Sequence, residues 1–60
     1  MISLDEQIKC ASRELAMRRH VYPRRVADGK MTQAKADHEI AAMLAIITTL
    51  EQVEAKERLI

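Results

Sequence analysis

Leu4, Ile8, Ala11, Leu15 and Tyr22 follow one another at spacings of three, four and seven residues. Those intervals gather them on one face of an α-helix. Ser3 followed by Glu6 is a capping-box pair, with the serine hydroxyl placed to accept a bond from the Glu6 amide. Asp5 adds negative charge where the helix dipole favours it. The pattern predicts a first helix from about residue 3 to about residue 21. A second stripe, Ala36, Ile40, Met43, Ile47 and Leu50, predicts a longer helix over about 32–58, begun by Thr32 as N-cap. At 1.5 Å per residue it would be about 40 Å long. Leu44, Ile46 and Val53 widen this stripe on both sides, and the remaining face carries the small or uncharged Ala41, Ala45, Thr48, Gln52 and Ala55.

Between the two stripes lies an elbow over about 22–31. Pro23 disfavours the α conformation at Tyr22, so the first helix is expected to stop or kink there. Residues Pro23 to Asp28 then form a short turn with Val26 facing inward. Gly29, the only glycine, supplies the left-handed residue that ends a helix, and Met31 folds back as its apolar contact. Cys10 falls beside the first stripe, on a flank with Met17 and Val21, and is expected to be a small buried filler.

The chain is thus expected to be all-α: a single domain over residues 1–60, a two-helix antiparallel hairpin that assembles into a homo-oligomeric helical bundle. Association follows from the mismatch between the stripes. Two Ile, two Leu, Met and Val on the second helix need more cover than Leu4, Ile8, Leu15 and Tyr22 offer. Size argues likewise, because 60 residues make a marginal lone core and the single cysteine rules out an internal disulfide. The mix of Ala, Glu, Lys, Arg, Leu and Ile, with no Trp or Phe, favours helix throughout. The start of the chain carries acidic charge rather than a signal-peptide pattern. Its longest apolar run, residues 40–47, is too short for a bilayer. A cytoplasmic protein with a reduced thiol and no membrane partner is expected.

Charge sharpens the picture. The net charge is only +1, yet the segment from Arg13 to Lys35 holds seven basic residues against Glu14 and Asp28. The rest of the chain holds three basic and seven acidic residues, so the hairpin is a bar with a positive elbow and negative ends. At the elbow, arginine forks can pair with phosphate oxygens and helix-start amides can face an anion. The candidate ligand-binding residues are Arg18, Arg19, Tyr22, Arg24, Arg25, Lys30, Thr32 and Lys35. Tyr22 is either a lid on the core or a surface on which a base stacks. Arg18 and Arg19 either hold phosphate or pair with Glu14 and Glu39. The other four cations either bind a ligand or form a solvated tip. Glu14, His20, His38 and Glu39 fit no catalytic or metal-binding spacing, so neither an enzyme nor a cofactor is expected. Near-neutral charge and the lack of a base-reading helix argue against nucleic acid as partner.

The stretch "VYPRRVADGKMTQAKADHEIAAM" resembles a group of very short proteins encoded by bacteriophages and prophages. They share a basic end to the first helix, a YP turn, a valine three positions on, G-K-M-T, and an A…E-I helix. Here these are Tyr22, Pro23, Val26, Gly29, Lys30, Met31, Thr32, Ala36, Glu39 and Ile40. The resemblance implies a protein that acts by binding, either sequestering a nucleotide signal of host defence or disabling a host protein. The second possibility makes a protein–protein interaction module the alternative to an anion binder.

Overall fold

The computed structural model describes residues 1–59, which form two α-helices and no strand. Helix α1 spans Leu4–Ala27 and helix α2 spans Gln33–Arg58. Towards the elbow, Arg18 reaches the backbone of Glu39. Towards the chain ends, Ile2 and Leu50 flank a common groove. The helices therefore run antiparallel, as a bar 48 Å long and 15–18 Å across.

Both helix starts follow from their caps. The Ser3 hydroxyl accepts from the Glu6 amide at 3.1 Å, and the Thr32 hydroxyl accepts from the Lys35 amide at the same distance. Each satisfies one of the amides that a helix start leaves without an intrahelical partner.

The end of α1 departs from the expected boundary. The helix does not stop at residue 21 but runs through Pro23 to Ala27. Proline removes one bond, from its own missing amide to the Arg19 carbonyl. Three others hold the turn beyond it: the Asp28 amide to Arg24 O, Gly29 to Val26 O, and Lys30 to Arg25 O. The last two form a Schellman cap, and Gly29 takes the required positive φ of 72°. Tyr22 and Val26, four apart on one face of this turn, are both half-buried. Gly29, not Pro23, is the real stop, and the elbow shrinks to residues 28–32.

The core is small. Ala11 and Leu15 from α1 meet Met43 and Ile47 from α2, with Ile40 and Leu50 packed against them. Ala36 is 2% exposed, deeper than any of these. Both predicted inner stripes thus face inward, with Leu4, Ile8 and Tyr22 on the first and Ile40 and Leu50 on the second half-buried. The residues expected to widen the second stripe do not: Leu44, Ile46 and Val53 are exposed. Cys10 is exposed as well, rather than a buried filler. One partner helix covers only part of the circumference, so the flanks stay in water.

Candidate functional site

The elbow end of the hairpin is organised by a carboxylate. Glu39 lies in the second turn of α2, one turn after Lys35, and the Lys35 ammonium meets its Oε1 at 2.8 Å. Arg18 comes from α1 with a side chain only 21% exposed. Its Nε donates to Glu14 Oε1 at 3.0 Å, its Nη1 donates to the Glu39 carbonyl at 2.9 Å, and Glu39 Oε2 is 3.7 Å away. One guanidinium therefore ties two helices together through a backbone acceptor and two carboxylates, at a place where it is mostly covered.

The electrostatics match the geometry. The hydrogen bond from Lys35, then its charge, hold the Glu39 carboxyl below its usual pKa, with the Arg18 charge adding to the effect. The same bond raises Lys35. Arg18 is raised chiefly by its hydrogen bond with Glu14, against the opposing effect of desolvation. All three groups are charged across the neutral range.

Tyr22 is half-buried one turn beyond Arg18, and the guanidinium carbon stands 6.0 Å from the ring centroid. That is the outer limit of a cation–π contact. The ring is partly covered and has a cation over it, which fits the lid on the core; base stacking belongs to the proposed function. Arg25 follows Arg18 by seven residues, close to two full turns, and so lies on the same flank of α1. Arg18, Tyr22 and Lys35 thus form one neighbourhood around Glu39, with Arg25 about 10 Å further along the same flank. Arg19 and Arg24 project from other sides of α1, and Lys30 sits in the elbow; all three are exposed. Thr32 is engaged as the N-cap of α2.

The eight candidate residues therefore separate into two sets. Arg18, Tyr22, Lys35 and Thr32 are built into the hairpin. Arg19, Arg24, Arg25 and Lys30 are exposed cations, and no salt bridge among the described residues involves them. The part sequence reasoning under-weighted is Glu39 as the hub. Its i, i+4 spacing from Lys35 was readable, whereas its approach to Arg18 needs the hairpin register. His20 and His38 are exposed, and no group of three or more His, Cys, Asp or Glu side chains among the described residues is arranged to hold a metal ion. No helix among them is long and apolar enough to cross a membrane.

No known family model, curated protein or solved structure matches this chain.

Proposed function

We propose that this chain is a non-enzymatic binding protein, self-associating and of phage type, whose basic elbow takes up a small anionic ligand of nucleotide character. In that role it would withdraw a nucleotide signal of host defence. The observation that carries the reading is the set of exposed cations, Arg19, Arg24, Arg25 and Lys30, around the cap of α1 and the start of α2. The amides of Gln33 and Ala34 begin α2 without intrahelical partners, just after Lys30 in the elbow. Arg18 and Lys35 supply further phosphate donors once a ligand oxygen replaces a carboxylate oxygen. Tyr22 offers its ring as the surface on which a base stacks. Thr32 orders the amides by capping.

Thermal melting with a panel of cyclic dinucleotides, cyclic trinucleotides and ADP-ribose-type compounds tests this. A binder present at a hundred times its Kd stabilises by about 2.7 kcal/mol, a shift on the order of 10 °C for a chain this short. The shift should shrink in Arg25→Ala and Lys35→Ala. No shift from any compound at millimolar concentration overturns the reading.

A second reading, an inhibitor docking on a host protein, draws on a different observation: the exposed Ile46, Val53 and Leu44 on α2. A stoichiometric host partner that survives high salt, with no nucleotide effect on melting, would favour it.

A further inference from the structure

The apolar surface left uncovered by the hairpin is not spread evenly. Ile2, Cys10 and Ala11 on one side and Met43, Ile46 and Leu50 on the other line an open groove of about 440 Å³ along one flank. Its rim is polar, made by Glu6, Gln7 and Glu14. Ile46 continues into a second apolar hollow with Ala45, Thr49 and Leu50. Both hollows belong to the chain-end half of the bar. The opposite flank of α1 carries Asp5, Ser12 and Arg19, at angles that turn them away from the groove.

We propose that a second copy of this chain seats in this groove, with the two copies related by a two-fold axis near Cys10 and Ile46. The proposal rests on the self-associating reading above and adds the face, the register and the partner's orientation.

Surface area supplies the first argument. A compact monomer of 6.9 kDa exposes about 4,000 Å². This chain exposes 4736 Å². The surplus, roughly 700 Å², is close to the approximately 800 Å² that a standard interface removes from each partner. A second hairpin is therefore of the right size to restore the exposure expected of a compact protein.

Charge supplies the second. A two-fold axis perpendicular to the bar reverses one copy against the other. With the axis near Cys10, Leu4 lies about 9 Å to one side of it, taking 1.5 Å per residue. That places each chain end, with Glu51, Glu54 and Glu57, beside the stretch of the other copy that runs from Arg13 to Arg19. The acidic end of one bar thus meets the start of the basic segment of the other, although Glu6 and Glu14 on the rim, four residues either side of the axis, oppose each other as a like-charged pair. A parallel arrangement would instead stack acid on acid and base on base, at a cost that selects against it. The elbows lie beyond the overlap, so this seam leaves Arg24, Arg25 and Lys30 uncovered.

Two neighbouring positions give matched controls. Leu44 is 45% exposed and Ile46 is 49% exposed, yet residues two apart on a helix face different sides. Cys10 lines the groove and Ser12 does not. In sedimentation equilibrium on the full chain, Ile46→Glu should weaken self-association at least tenfold, whereas Leu44→Glu should leave it within threefold. Equal effects from the two variants, or none from Ile46→Glu, overturn the seam while self-association stands. A wild-type chain that sediments as a monomer overturns both.

Because Ile46→Glu can unfold a chain that depends on its partner, oxidation provides an independent readout. Copper–phenanthroline should link wild-type chains through Cys10 into a covalent dimer in high yield. The double variant Cys10→Ser, Ser12→Cys should stay largely unlinked. Comparable yields from the two chains overturn the proposal.

Discussion

Glu39 gives the elbow a defined response to acid. Its carboxyl is held below its ordinary pKa by the Lys35 hydrogen bond and by neighbouring cations. The unfolded chain therefore takes up the Glu39 proton at a higher pH than the folded one. The stabilisation is present above the unfolded carboxylate pKa and is lost as pH falls through the folded value. Melting temperature should fall in that window, and Glu39→Gln should flatten the fall; an unchanged profile in the variant would remove Glu39 from this role. Gly29 makes a contrasting case. A Cβ added there meets nothing within 4 Å, so Gly29→Ala costs only the backbone strain of a positive φ. A loss of about 1–2 kcal/mol is expected in denaturant unfolding. A neutral result would mean that the cap rearranges without the left-handed residue.

Helix α1 shows how a local breaker is outvoted. Pro23 is a poor interior residue, yet the turn after it is closed by the Gly29 cap and partly buried at Tyr22 and Val26. Restoring the amide in Pro23→Ala gives Arg19 O its donor back and removes the ring's clash with the preceding turn. The variant should be more stable by about 1–3 kcal/mol, seen as a higher urea midpoint at unchanged slope. A lower midpoint would show that the proline fixes the elbow rather than merely being tolerated. Helix α2 has the opposite character. Its inner stripe is well buried at Ala36, Met43 and Ile47, but Ile46 and Val53 on its flank are only partly covered.

The hairpin as a whole is under-buried. Among the described residues only Ala11, Leu15, Ala36, Met43 and Ile47 reach the interior, and no side chain is completely enclosed. Under the proposed self-association, so small a core would draw part of its stability from a second copy. If so, the melting temperature should rise with protein concentration between micromolar and millimolar chains, as linkage between folding and assembly requires. A concentration-independent transition would show that the single hairpin suffices. The separation of charge acts on the same length scale. Arg18 and Lys35 are engaged by Glu14 and Glu39, so the field beyond the elbow comes mainly from Arg19, Arg24, Arg25 and Lys30.

The two inner stripes, both N-caps and the helix-ending glycine were legible in the residues alone, because each depends on neighbours within a few positions. Hydrophobic spacing of three and four defines a face, and a serine or threonine three residues before an unpaired amide defines a start. Three features were decided in space. Whether Pro23 ends α1 depends on contacts across the hairpin, which propensity does not contain. Which flank of an apolar helix stays wet depends on the angle at which its partner lies. This is why Ile46, Val53 and Cys10 are exposed although their spacing places them beside the core stripes. The binding of Arg18 to both Glu14 and the Glu39 backbone joins residues 21 positions apart, a meeting that only the antiparallel register brings about.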